Sequence, residues 1–286
     1  MGYRIITDSG CDLPAKLLAQ LNIDVIPLIL YFRGQEWNDT TDEGLKAIYD
    51  GLRAGDSAST AAINPDGWAN AMEPVLEKGQ DALVITFSSG LSTTYQSAVI
   101  AAQELMEKYP GRKIRVVDSL CASLGQGLFV WYACKNRDAG MSLDALADWC
   151  EENKLNLCHW FTVDDLMYLK RGGRVSAATA LLGTMLNIKP VLHVDNEGHL
   201  INVSKARGRK AAIEALAKKV AETALPGQND VMFISHGDCV EDAEILAEIL
   251  KEKHGVKEGV IGYVGAVIGS QSGPGTLALF FLGSHR

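Results

Sequence analysis

The chain has 286 residues, 47% of them hydrophobic and 22% charged, which is enough for two modest lobes around a sizeable core and excludes a largely disordered chain. Its 27 basic and 35 acidic side chains leave a net charge of −8, which argues against a nucleic-acid binder and against a polybasic membrane anchor. The six cysteines, Cys11, Cys121, Cys134, Cys150, Cys158 and Cys239, form no C-x-x-C pair and no zinc-ligand pattern, and the first residues lack an apolar signal segment. These features predict a reduced, cytoplasmic protein without a metal site.

In the first half, strand candidates at 4–8, 25–30, 81–87 and 114–118 alternate with helical patterns. The first helix has Asp12 as its candidate cap and Pro14 in its first turn, and the second has capping-box spacing from Thr40 to Glu43. A third helix is expected to start near Ser92. A fourth, over 119–134, is apolar nearly all round and is therefore expected to be buried. Strand-helix alternation of this kind predicts a parallel sheet covered by helices on both faces.

The second half has a different rhythm. A strand at 156–163 precedes a helical pattern over 164–183 that is interrupted by the basic run 170–174. Strands at 190–194 and 200–204 flank the turn 195–199 and predict an antiparallel hairpin. Two amphipathic helices follow, one carrying Ile213, Leu216, Ala217 and Val220, the other Val240, Ala243, Leu246, Ala247 and Leu250, with a strand at 231–235 between them. Residues 259–284 carry no charge, but the polar, glycine- and proline-containing run 270–275 would break a membrane-spanning helix. The segment is read as a buried strand (259–268), a loop (269–275) and a short apolar helix (276–282). The change of pattern near Leu155 predicts two domains, 1–155 and 156–286.

Several functional signatures are missing. The sequence has no Gly-Lys pair and so no Walker loop, no G-x-G-x-x-G after the first strand and no H-E-x-x-H. Residues 269–273 have the spacing of a nucleophile elbow, with Gln271, which cannot attack a carbonyl, at the nucleophile position. What is present is a set of strand ends rich in small polar residues: Thr7 to Gly10, Ser88 to Thr94, and Asp118-Ser119. In a parallel sheet these ends gather on one edge, where ligands bind. The hydroxyl-rich helix start around Ser92 is a candidate anion site, set against plain helix capping. Ser270, Gln271 and Ser272 in the glycine-rich run offer further donors. The apolar residues beside them, with Ala180, Leu181, Leu182, Met185 and Leu186, are candidate walls for an oily ligand or ordinary core. The basic residues Lys170, Arg171, Arg174, Lys205, Arg207, Arg209 and Lys210 are either solvated surface or contacts for an acidic group.

In order and spacing, Thr7-Asp8-Ser9, Asp12-Leu13-Pro14, Leu91 to Ala98, Val117-Asp118-Ser119, Leu169 to Ser176, Ile188-Lys189-Pro190 and the run 269–275 resemble the DegV family over nearly the whole chain. The resemblance implies an α/β protein of two domains: a Rossmann-like α/β/α lobe with a parallel sheet, and an α/β lobe with a mixed sheet. It implies a non-catalytic protein that needs no cofactor and binds a long-chain fatty acid between its lobes. By the same resemblance the carboxylate is held by Thr60, Ser92, Thr93 and Gln271, and the acyl chain is buried. Some members of the family present that carboxylate to a separate fatty acid kinase catalytic subunit, and Arg174 and Arg207 match basic positions suited to such docking. Thr93 stands where the family usually has Gly, and Gln271 where it usually has His. The alternatives from the residues alone are a phosphotransferase or hydrolase using the same anion site, and a regulatory adaptor.

Overall fold

The first strand, β1 (Tyr3–Asp8), buries both Ile5 and Ile6, because it is an inner strand of a parallel sheet with both faces covered. The computed structural model describes residues 2–176 and 187–286. After α1 (Ala15–Leu21), β2 (Asp24–Ile26) pairs with β1 in parallel. The sheet is completed by β6 (Asp81–Thr86) and β7 (Ile114–Asp118) in the order β2-β1-β6-β7. Between β6 and β7 runs α4 (Thr94–Lys108), and β7 leads to α5 (Leu124–Asp138) and α6 (Leu143–Asn153).

The expected strand 25–30 is two strands in two sheets. Pro27 has no N–H to give to a ladder, and beyond it β3 (Ile29–Phe32) turns into a small antiparallel sheet with β4 (Gln35–Glu36) and β5 (Ala58–Ala61). This sheet has no counterpart in the sequence reading. Its helix α2 (Asp42–Ala54) is capped by Thr41, whose hydroxyl accepts from the Gly44 N–H, one residue after the expected Thr40. Helix α3 (Pro65–Glu77) follows with Asn64 as its cap. Asp12 does not cap α1, which has no side-chain cap; Asp12 is in the left-handed region (φ 49°) and accepts from Ser123.

In the second half, β8 (Leu157–Thr162) is followed by the short α7 (Met167–Arg171). The rest of the expected helix 164–183, with Ala180, Leu181, Leu182, Met185 and Leu186, lies outside the described residues from 177 onward. Strands β9 (Ile188–Val194) and β10 (Leu200–Arg207) form the expected hairpin. Then come α8 (Arg209–Thr223), β11 (Val231–His236), α9 (Val240–His254) and β12 (Glu258–Tyr263). The C-terminal reading is altered in the structure: the helix α10 (Ala266–Ser272) takes the end of the expected strand 259–268 and the first half of the expected loop 269–275, and the expected helix is the strand β13 (Leu277–Leu282). The reason is position. β13 lies inside a six-stranded mixed sheet, order β10-β9-β8-β13-β11-β12, and all six of its residues are buried. A strand covered on both faces has no alternation to distinguish it from a buried helix.

Helix α5 lies between the two large sheets. One apolar cluster takes Ile5, Leu83 and Ile85 from the parallel sheet, Leu128 and Phe129 from α5, and Phe233 and Phe280 from the mixed sheet. Two glycines permit this approach. A Cβ on Gly125 would sit 2.2 Å from His159 Nε2 and 2.7 Å from Phe280, and one on Gly127 would sit 2.6 Å from the Cys11 carbonyl oxygen. Gly125→Ala is therefore expected to cost about 1–3 kcal/mol through overpacking, read as a lower midpoint in urea unfolding.

Candidate functional site

The polar ends of the parallel strands shape the backbone next to the site more than they face a ligand. Asp8 Oδ2 accepts from the Phe87 N–H at 2.7 Å, and its Oδ1 accepts from the Gly10 N–H at 2.9 Å and from Gln126 Nε2 at 3.2 Å. Asp118 Oδ1 accepts from the Ser89 and Leu120 N–H groups, and the Ser119 hydroxyl donates to the Thr86 carbonyl. The Ser88 hydroxyl donates to the Gly198 carbonyl in the β9–β10 turn. Of the hydroxyl-rich run, Ser89, Ser92 and Thr93 line an open cavity. The Ser92 hydroxyl shares a 2.8 Å hydrogen bond with the Thr94 hydroxyl. Helix α4 begins at Thr94, two residues past Ser92, and the Thr93 N–H has no acceptor among the described residues.

Gln271, in the last turn of α10, meets Thr60 on β5: its Nε2 donates to the Thr60 hydroxyl at 3.5 Å. Its carbonyl oxygen is buried without a partner among the described residues and packs over Gly172, where a Cβ would be 1.9 Å away. That packing turns the amide donors, not the acceptor, toward Thr60. The other two hydroxyls of the run do not join it. Ser270 donates back to the Val267 carbonyl at 2.8 Å, and the Ser272 oxygen is buried without a partner among the described residues.

Arg174 closes the ring. Its guanidinium donates to the Gly172 carbonyl and, at 3.1 Å, to the Leu91 carbonyl beside Ser92. No carboxylate among the described residues pairs with it. Thr60, Ser92, Thr93, Arg174 and Gln271 therefore line one cavity of about 450 Å³. Arg207 does not; it is exposed on β10. The cavity walls are largely apolar, with Phe87, Phe161, Leu169, Val194, Leu200 and Phe280 among them, and no Asp or Glu is in the described lining. Thr60, Arg174 and Gln271 also line a surface recess of about 330 Å³ with Arg171 and Ser59. The polar group thus stands between an apolar interior and solvent.

Sequence reasoning passed over three features of the lining. His159 faces the cavity, but its Nδ1 is 3.0 Å from the Leu157 carbonyl and its Nε2 accepts from the Ala122 N–H at 3.4 Å. Burial, helped by Arg286, holds its pKa well below the usual imidazole value, so the ring stays neutral. Ser123 and Ser235 are hydrogen-bonded at 3.1 Å, and the Ser123 hydroxyl donates to Asp12 at 2.6 Å. The apolar walls from β8 to β10 read in sequence as ordinary strand core, since nothing local marks which buried face adjoins a void. Among the described residues, no group of three His, Cys, Asp or Glu side chains is placed to hold a metal ion, and no helix is long and apolar enough to cross a membrane.

Residues 3–284 match a family described as "Uncharacterised protein, DegV family". The chain belongs to the DegV family. It is 46% identical to a DegV domain-containing protein of Clostridium perfringens, covering 99% of this chain and 98% of that one. Its fold superposes on that of a fatty-acid-binding DegV family protein from Thermus thermophilus with a TM-score of 0.86 at 34% identity, covering 98% and 99% of the two chains. A DegV lipid-binding protein from Thermotoga maritima gives 0.85 at 28% identity, with both chains fully covered. The mixed α/β architecture, a parallel sheet beside a mixed sheet, is thus that of other DegV proteins.

Asp8 supplies a pH test of this region. Burial raises its pKa from 3.8 to about 6, against the lowering effect of the Phe87, Gln126 and Gly10 hydrogen bonds. Between these values the folded state holds more protons than the unfolded one, so this contribution to stability falls as the pH rises from 3.8 to about 6 and is level above it. Unfolding free energies measured across that range are expected to lose this slope in Asp8→Asn, whatever constant offset the substitution adds.

Proposed function

We propose that this DegV protein binds a long-chain fatty acid between two domains, 1–155 and 156–286, and that it is a carrier, not an enzyme. The observation that carries the reading is the cavity itself. Neutral donors and Arg174, with which no carboxylate among the described residues pairs, stand at its solvent side, and apolar side chains dominate its described lining, which holds no acid. The ligand carboxylate accepts from the Ser92 and Thr60 hydroxyls, the Thr93 N–H and the Gln271 amide, with Arg174 close by. The acyl chain runs inward between Phe87, Phe161 and Phe280.

Magnitudes divide the work between head and tail. Burying each CH₂ is worth about 0.8 kcal/mol, so a long chain gains on the order of 10 kcal/mol before entropic costs. A hydrogen bond to a charged head contributes about 1.5–3 kcal/mol. The tail sets affinity and the polar ring sets orientation. Gln271 can donate to the carboxylate but cannot shuttle a proton, and both ring nitrogens of His159 are engaged by backbone groups. The lining therefore favours holding a ligand over transforming it.

The surface recess supports a further step of the same reading: cytoplasmic presentation of the head to a separate fatty acid kinase catalytic subunit, with Arg174 and Arg207 serving the docking. The recess brings Arg174 and Gln271 within reach from outside, and Arg207 is exposed on the edge strand β10.

Mass spectrometry of the purified protein after denaturation is expected to release a fatty acid. Ser92→Ala combined with Thr60→Val is expected to weaken binding of an added fatty acid about tenfold or more. Recovery of no lipid, together with no rise in melting temperature on adding one, would count against the reading. Arg207→Ala is expected to leave fatty acid binding unchanged while reducing acyl phosphate formation by a bacterial fatty acid kinase subunit.

A further inference from the structure

Of the buried serine, threonine and histidine side chains in the described cavity lining, Ser272 alone has no hydrogen-bond partner among the described residues. His159 is engaged through both ring nitrogens, Ser123 and Ser235 bond to each other, and the Thr276 hydroxyl donates to the Ser272 and Gly273 carbonyls. Ser272 is 5% exposed. Its hydroxyl does not turn back onto a carbonyl of its own helix, as that of Ser270 does onto Val267. A buried hydroxyl left unpaired is costly, so it marks a place where a partner is expected.

The position of Ser272 says what that partner belongs to. Helix α10 presents Val267, Ile268, Gln271 and Ser272 to the cavity. Ser272 directly follows Gln271, yet Gln271 also lines the surface recess and Ser272 does not. Gln271 meets Thr60 at the solvent side, whereas Ser272 lies toward β13, with the Thr276 hydroxyl on its carbonyl. A carboxylate held by Gln271, Thr60 and Ser92 therefore sends its first carbons past Ser272. Plain methylenes there would cover the hydroxyl and leave it unpaired.

We propose that Ser272 recognises an oxygen near the head of the ligand, and that the preferred ligand of this cavity is a 3-hydroxy fatty acid. The proposal rests on the fatty-acid reading of the same cavity and narrows its ligand class. A hydroxyl on the third carbon stays close to the carboxylate and can both donate to and accept from a serine. A site built to pair a ligand hydroxyl discriminates against the analogue that lacks it, because its own polar group is then left without a partner. The third carbon is also a stereocentre, so a hydroxyl fixed on one wall selects one enantiomer.

Competition against a fluorescent fatty acid tests this in the full chain stripped of co-purified lipid, with hexadecanoate and the two enantiomers of 3-hydroxyhexadecanoate as probes. In the wild type one enantiomer is expected to bind about tenfold more tightly than the other, and more tightly than hexadecanoate. Ser272→Ala is expected to remove the difference between enantiomers while hexadecanoate binds at least as well as before. Alanine is the best helix former and the group removed has no partner among the described residues, so the variant is expected to fold. Hexadecanoate binding without a difference between enantiomers in the wild type, or with a difference that survives Ser272→Ala, overturns the proposal and leaves the fatty-acid reading standing. An equal loss of all three probes in Ser272→Ala assigns the hydroxyl to the carboxylate and overturns it as well. Failure of the wild type to bind any of the three overturns both.

Discussion

The site depends on one buried carboxylate. Asp8 ends β1 with no solvent contact and accepts from the backbone of Phe87, the backbone of Gly10 and the side chain of Gln126. A buried carboxyl is costly unless its lone pairs are filled, and here three segments converge to fill them. In doing so they fix where the chain leaves β6, and hence where Ser92 and Thr93 stand before α4. They also pin α5, whose Gln126 reaches Thr7 as well as Asp8. The Thr-Asp-Ser sequence at the first strand end is thus the anchor of the loop that lines the cavity and is not itself in the described lining.

The second constraint is the close passage of α5 between two sheets. Glycine at 125 and 127 brings the helix against β13 and the β1–α1 segment, where any side chain would collide. This joins residues more than a hundred positions apart in one core, and the same contact sets the cavity floor at Ala122 and Ser123. The strained Ser123 backbone (φ 54°) is held there by its bonds to Asp12 and Ser235. Cavity geometry and fold stability are therefore drawn from the same few contacts.

Charge is sorted around the cavity in a way that local sequence does not announce. The basic run at 170–174 is only partly a solvated surface. Arg174 folds back over Gly172 to Leu91 and lends its charge to the polar ring, while Arg171 remains at the recess and stacks on Tyr168. The described lining of the cavity holds no acid, while Asp56 lines the recess outside it. A ligand with one charged end meets different fields at the two ends of the space.

Much of the architecture was legible in the residues. Short apolar runs marked β1, β6 and β7, a polar turn between two such runs marked the β9–β10 hairpin, and a 3.6-residue period marked the amphipathic α8 and α9. The hydroxyls before α4 and the basic run marked two parts of the polar ring. The C-terminal segment was misread because β13 is enclosed on both faces and its six apolar residues carry no period. The small sheet of β3, β4 and β5 was missed because its strands are short and four of their ten residues are exposed. The sequence by itself determined an α/β chain with apolar cores and a helix start rich in donors, since those depend on near neighbours. Only the tertiary structure decided that Thr60 meets Gln271 across 211 positions, that Arg174 reaches Leu91, and that these enclose a void, because contacts between distant segments are set by how whole sheets pack.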